Sequence, residues 1–294
     1  MSEAITEYRN ENTKDIDLLS TIDMVRKMNE EDKIVAEVVG DVAADIATAI
    51  DMIAKAFLKG GRLFYFGAGT SGRTGIIDAV ECGPTFGCTD EFLGLIAGGN
   101  NAVFKAVEGA EDNKQLCVED LKENNFSEKD LLVGVAASGR TPYVIGGIEY
   151  AKQLGAKTAC VCCNVDTEIG KLVDYPIEVY AGPEILTGST RLKSGTCQKV
   201  IINMLSTATM IGMGKVYKNL MIDVLATNEK LVERCRRIVM AATECDYETA
   251  DEALKKTNNN CKDAIVMILL NVDYETAKQK LLQADGMVRK ALVE

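Results

Sequence analysis

"RLFYFGAGTSGRTGIIDAVECG" runs from Arg62 to Gly83, and its reading decides the fold. Arg62 to Phe66 is a short apolar run, which predicts a buried strand. Gly67 to Gly72 predicts a tight loop, and Arg73 to Glu81 the opening of a helix ending at Glu81. A glycine loop between strand and helix is an anion site, because backbone N–H groups point outward and the helix dipole adds positive potential. Gly67, Gly69 and Gly72 also have the G-x-G-x-x-G spacing of a dinucleotide turn. That reading needs an acid at the end of the second strand, to hold the ribose. Asp90 and Glu91 instead precede the next strand, "FLGLIAGG", which ends in Ala-Gly-Gly-Asn. The acid is misplaced, so the loop reads as a site for something other than a dinucleotide.

The plan repeats outward from this stretch. "DLLVGVAASGRTPYVIGGIEYAKQLGA" gives a strand over Leu131–Ala136, a loop over Ala137–Arg140 and a helix from Thr141 to Leu154. "KTACVCCNV" and "YPIEVYAGPE" are further strands, and "STRLKSGTCQKVIINMLSTATMIGMG" a long helix. Helices are also predicted over Thr21–Met28, over 34–58 and across "NAVFKAVEGAEDNKQLCVEDLKENN" (101–125). Alternating helices and continuously apolar strands predict an α/β fold with a doubly wound, mostly parallel five-stranded sheet. From about residue 230 the pattern is helical alone. Three short helices there form a small C-terminal domain. "DYETA" at Asp246–Ala250 and Asp273–Ala277 has the form of a capped helix start. The expected division is an N-terminal helical segment over 1–55, an α/β domain over 56–229 that carries the glycine loop, and a helical domain over 230–294.

Composition narrows the chemistry. Of 294 residues none is His, which removes the commonest general base, the Ser-His-Asp triad and most zinc sites. Acid–base work falls to carboxylates, Lys, Tyr or Cys. A net charge of −11 argues against nucleic acid and anionic membranes as partners. No apolar run is long enough to span a bilayer. The ten Cys, without a signal peptide, fit buried thiols in a reducing cytoplasm. Cys160, Cys162 and Cys163 lack a second zinc-ribbon pair, so no metal is expected.

Three hydroxyl-rich clusters stand at predicted strand ends: "GAGTSGR" (67–73), "AASGRTP" (136–142) and "TGSTRLKSGT" (187–196). One such cluster is only a tight turn. Three on one sheet, where open α/β folds place ligands, indicate a phosphate and sugar site. "GAGTSGR" and "AASGRTPYV" resemble sugar isomerase (SIS) domain loops. Longer blocks, among them "GAGTSGRTGIIDAVECGPTFG", "AVEGAEDN", "TGSTRLKSGTCQK" and "NLMIDVLATNEKL", closely resemble the N-acetylmuramic acid 6-phosphate etherases, over essentially the whole chain. Gly83-Pro84 stands where that family usually has two prolines, and Thr74 where it often has an aliphatic residue.

The resemblance implies a SIS-type sheet and a cofactor-independent carbon–oxygen lyase acting on an amino-sugar phosphate. It also implies a homodimer with the site near its interface. Glu81 would be the acid that protonates departing lactate, and Glu111 the candidate base at C2, with Glu108 and Asp112 as local rivals. Which glutamate deprotonates C2 stays open. Gly69, Thr70, Ser71, Ser138, Gly139, Thr141, Ser189 and Thr190 would hold the substrate and its phosphate. Arg73, Arg140, Arg191 and Lys193 are open between phosphate, glutamate and subunit contacts. A non-catalytic sugar-phosphate-binding regulator and an aldose–ketose isomerase are the alternatives on the same fold. A regulator has no need of both glutamates.

Overall fold

Leu63–Gly67 (β1) is buried at every residue and lies inside the sheet, with a strand on either side. We describe the chain from a computed structural model, in which residues 5–226 and 228–293 are described. Thr227, inside the "NLMIDVLATNEKL" block, lies outside them. The chain divides into two compact units, 1–80 with 90–206 and 81–89 with 207–294.

The first unit opens with helices α1 (Thr21–Asp32), α2 (Ile34–Asp41) and α3 (Ala43–Phe57). The continuous helix predicted over 34–58 is broken at Val42, whose N–H turns back to the Gly40 carbonyl. Gly40 is the weak point, since glycine in a helix interior costs backbone entropy. After β1 comes α4 (Gly69–Phe86), then β2 (Phe92–Ile96), α5 (Gly99–Phe104), α6 (Lys114–Glu123), β3 (Leu131–Ala136) and α7 (Pro142–Gln153). β4 (Lys157–Cys162), α8 (Glu168–Leu172), β5 (Tyr175–Glu178) and α9 (Lys193–Gly212) follow. The five strands lie in the order β2-β1-β3-β4-β5, and every pair is parallel. This is the doubly wound five-stranded sheet that the strand pattern predicts. The order reverses between β1 and β3, so their following loops emerge side by side, where Gly67 pairs with Val135. Phe64, Phe66, Leu132, Cys160 and Cys162 pack against Tyr143, Val144 and Ile148 of α7.

Two predicted helices change shape. α4 starts at Gly69, not Arg73, and runs beyond Glu81 to Phe86, with Pro84 inside it. The predicted helix over 101–125 is two helices with a one-turn 3-10 helix between them, Ala110–Asp112. Lys105 is extended and Gly109 has φ +74°, a left-handed conformation that favours glycine.

The second unit holds a short hairpin that the sequence pattern did not announce, β6 (Val216–Tyr217) with β7 (Leu220–Met221). Its helices are α10 (Glu229–Thr243), α11 (Tyr247–Lys256), α12 (Cys261–Leu270), α13 (Tyr274–Gln283) and the single turn α14 (Val288–Ala291). Both "DYETA" segments cap as expected: Asp246 accepts from the Thr249 N–H and Asp273 from the Thr276 N–H, each at 2.8 Å. Cys235, Val239, Leu254, Ile265 and Leu281 form the centre of its core.

Candidate functional site

The β1–α4 loop is tight because Gly67 and Gly72 leave no room for anything larger. A Cβ on Gly67 would lie 2.5 Å from the Val135 carbonyl oxygen, and one on Gly72 would lie 2.7 Å from both the Gly67 carbonyl oxygen and Ile96. Backbone therefore approaches backbone, and the helix begins earlier than the residue pattern suggests.

A cavity of about 240 Å³ opens beside this loop, lined by Gly69, Arg73, Ala97, Val107, Glu108 and Glu111 among others. It sits at the carboxyl ends of β1 and β2, where the Ala97 N–H donates to the Gly67 carbonyl at 3.0 Å. The structure thus brings Gly69 together with the predicted base Glu111 and its rival Glu108. Glu111 is exposed and follows Ala110, which is buried in the core beneath α7. The buried alanine fixes the turn and the neighbouring carboxylate reaches solvent.

Arg73 anchors the same wall. Its guanidinium donates from Nε to the Val103 carbonyl at 2.9 Å and from Nη2 to the Ala102 carbonyl at 2.7 Å. These are late carbonyls of α5, where positive charge is favoured. This role was not among those left open for Arg73: it holds the segment leading to Glu111.

The second loop is held as closely. The Ala137 carbonyl accepts from the Cys163 N–H at 3.0 Å and from Asn164 Nδ2 at 3.2 Å. Gly139 has φ +68°, and a Cβ there would lie 2.3 Å from the Thr167 Cβ. Gly139→Ala should therefore destabilise the protein by about 2 kcal/mol, from left-handed strain plus overpacking. A urea midpoint equal to wild type would contradict that reading. Ser138 and Thr141 are half-buried on either side of it.

The third loop meets the first. Thr70 Cγ2 lies 3.3 Å from where a Gly195 Cβ would stand, and Ser71 Oγ donates to Gln198 Oε1 of α9 at 3.0 Å. Ser189 and Thr190 precede α9, half-buried, with the Gly195 N–H donating to the Thr190 carbonyl at 3.0 Å. None of Thr70, Ser71, Ser138, Gly139, Thr141, Ser189 or Thr190 is among the residues lining the 240 Å³ cavity. The structure places them at neighbouring sheet-edge loops and not in that hollow.

The N-terminus of α9 is occupied from within. Buried Glu184 accepts from the Lys193 N–H at 2.8 Å, the Ser194 N–H at 2.9 Å and Ser194 Oγ at 2.7 Å. Lys193, open between several roles in the sequence, is 2% exposed and pairs with Glu31 at 2.9 Å. Glu31 also accepts from Asn10 Nδ2 at 2.7 Å and Asn12 Nδ2 at 3.0 Å. Burial acts to raise its pKa, but these donors outweigh it and hold the carboxyl below its ordinary range. Arg140 and Arg191 are exposed.

Glu81 lies three turns or so along α4 from Gly69, on a helix rising about 1.5 Å per residue. It is exposed and belongs to the short segment, 81–89, that goes with the second unit. That unit has a cavity of about 330 Å³, lined by Lys215, Asp223, Asn258, Asn259, Asn260 and Cys261 among others. It contains no predicted site residue. Asp223 there is shared by Lys215 at 3.0 Å and Lys262 at 2.9 Å. Ten free Cys are present, nine of them buried, and Cys82 is among the buried. No helix of the described residues is long and apolar enough to cross a membrane.

Sequence reasoning missed Glu184, Asn164 and Gln198. The signal for Gln198 was available: it is a polar residue on the stripe shared by Ile201, Ile202 and Leu205, all buried. A polar group on such a stripe implies an internal partner.

Comparison with known proteins gives the same picture at two levels. The model of the glucokinase regulatory protein N-terminal SIS domain matches residues 45–152, and that of the SIS domain matches residues 118–208. An N-acetylmuramic acid 6-phosphate etherase of Clostridium botulinum is 56% identical, over 91% of this chain and 89% of its own. The Bacillus mycoides etherase is 55% identical over 98% of both chains, and the Vibrio cholerae etherase 2 is 55% identical over 100% of this chain and 96% of its own. Among solved structures, a phosphoheptose isomerase from Neisseria gonorrhoeae superposes with a TM-score of 0.51 at 13% identity, over 65% of this chain and 98% of its own. A phosphoheptose isomerase from Francisella tularensis gives 0.51 at 15%, over 65% of this chain and 98% of its own. At such identities the structural likeness speaks to the fold alone.

Proposed function

The chain belongs to the N-acetylmuramic acid 6-phosphate etherase family, and from that premise we propose that it is a lyase releasing D-lactate from N-acetylmuramic acid 6-phosphate. The product sugar is N-acetylglucosamine 6-phosphate. The observation carrying this reading to particular residues is the cavity in which the glycine loop faces Glu111.

In the ring-opened substrate the C1 carbonyl makes the C2 proton acidic. Glu111 accepts that proton, lactate departs from C3 as Glu81 supplies a proton, and water adds to the unsaturated intermediate. A positioned carboxylate is suited to such transfers, typically contributing about 10²–10⁴-fold. The route takes its acid–base groups from carboxylates and asks nothing of a metal or a redox cofactor. Ser71, Ser138, Ser189 and Thr190 hold the 6-phosphate, aided by the backbone at Gly69 and Gly139, with Thr70 and Thr141 beside them.

The same reading has the enzyme working in the cytoplasm as a homodimer with the site near its interface, and without nucleic acid or membrane as partner. Exposed Ile77 and Val80 on α4 offer apolar surface for a subunit contact. The test is direct. Protein treated with EDTA and given the substrate should release D-lactate, measured enzymatically. Absence of lactate, with the protein folded, ends the etherase reading.

A further inference from the structure

Ser71 and Gln198 form a buried pair whose protons are arranged the wrong way round for the role just proposed. Ser71 is 8% exposed and Gln198 is 1% exposed. The Ser71 hydroxyl spends its one proton on Gln198 Oε1, at 3.0 Å. Its oxygen then has only lone pairs left to offer, and the oxygens of a phosphate dianion likewise only accept. Meanwhile Gln198 Nε2 is buried without a hydrogen-bond partner. An unused amide donor in the interior is costly, so this arrangement leaves one group dissatisfied and another misdirected.

A half-turn of the amide corrects both. The oxygen and nitrogen of a glutamine amide have nearly the same shape, so the turn needs no repacking. Nε2 then donates to Ser71 Oγ, and the Ser71 proton is free to point outward. Oε1 takes the other side, where the Cys163 thiol lies against the Gln198 side chain. In the present arrangement that thiol donates to the Ser194 carbonyl at 3.4 Å. The Ser71 hydroxyl is then matched only when an acceptor stands outside it.

We propose that Gln198 is a positioning residue that turns its amide when the substrate's phosphoryl group arrives, so that Ser71 donates to it. This rests on the reading of Ser71 as a phosphate ligand. Gln198 itself touches no substrate atom.

Binding of N-acetylglucosamine 6-phosphate, by calorimetry, tests it on the full chain, with thermal melts confirming that each variant is folded. Ser71→Ala should weaken binding about 10-fold or more, as loss of a hydrogen bond to a charged group does. Gln198→Glu places an acceptor-only carboxylate against Ser71 and should weaken binding about 30-fold. Gln198→Met frees the Ser71 proton and should cost less than about threefold. In the Ser71→Ala background the gap between Glu and Met at 198 should vanish. If Met is as damaging as Glu, or the gap persists without Ser71, Gln198 is packing and the proposal is overturned alone. If Ser71→Ala binds like wild type, the phosphate assignment falls and takes the proposal with it. Wild-type protein gives a second measurement, independent of how Gln198→Glu folds. The Gln198 side-chain NH₂ signal, assigned by its absence in Gln198→Met, should shift at saturation and exchange more slowly. An unmoved signal overturns the proposal.

Discussion

Glu111→Gln should lower turnover about 10³-fold with little change in KM, and should abolish exchange of the C2 proton with solvent. The size follows from removing a general base whose contribution is made in the transition state. The choice of Glu111 over Glu108 follows from the backbone. Both line one cavity, but Glu111 sits on a one-turn helix pinned by buried Ala110, while Glu108 precedes the left-handed Gly109. A base must be held in place, and the pinned residue is the better held. Glu108→Gln leaves turnover near wild type. Glu81→Ala is the complementary variant: it loses lactate release and keeps C2 exchange. Exchange and release measured on both variants decide the roles. Survival of exchange in Glu111→Gln with its loss in Glu81→Ala reverses them, and loss of both in Glu81→Ala removes the division of labour.

Lys193→Met should lower stability by about 3 kcal/mol at neutral pH, the low end for breaking a buried ion pair, because Asn10 and Asn12 still donate to Glu31. The pH dependence has a definite sign. Glu31 is held below its ordinary range in the folded protein. Its contribution is therefore complete above the unfolded value, about 4.3, and is lost as pH falls through the lower folded value. Without Lys193 the burial effect is less opposed and the Glu31 pKa rises. The variant then protonates Glu31 sooner, so its deficit is largest near pH 7 and narrows in acid. Urea unfolding at pH 7 and pH 4 measures this. An equal deficit at both would mean that Lys193 acts by packing and not by charge.

Local chemistry made the sheet readable. β3 falls on Leu131–Ala136, where the apolar run placed it, and both Ser-Gly-Arg loops stand at parallel strand ends. What the pattern could not carry was set by contacts between distant residues. α4 begins at Gly69, and in its first turn Gly72 packs against Ile96 of β2. The break between α5 and α6 depends on an extended Lys105 and a left-handed Gly109 that a helical periodicity conceals. Glu184 as the cap of α9 and Gln198 as the partner of Ser71 each join residues from separate segments, and neither pairing has a spacing to read. The glutamates themselves were legible by resemblance. Glu111 lines the cavity beside the glycine loop, as does its rival Glu108.

The amino-terminal segment adds a matter of timing. Thr6 accepts from Asn164, Asn10 donates to the Pro183 carbonyl across 173 residues, and Thr13 donates to the Ile185 carbonyl across 172. Glu31 completes the grip through Lys193. During synthesis the first thirty residues emerge long before their partners do. At about 5–20 residues per second, roughly 9–35 s separate Asn10 from Pro183. The segment around Asn10 therefore waits on the ribosome without its partners, and the loop bearing Ser189 and Thr190 is closed by a part of the polypeptide made well before it.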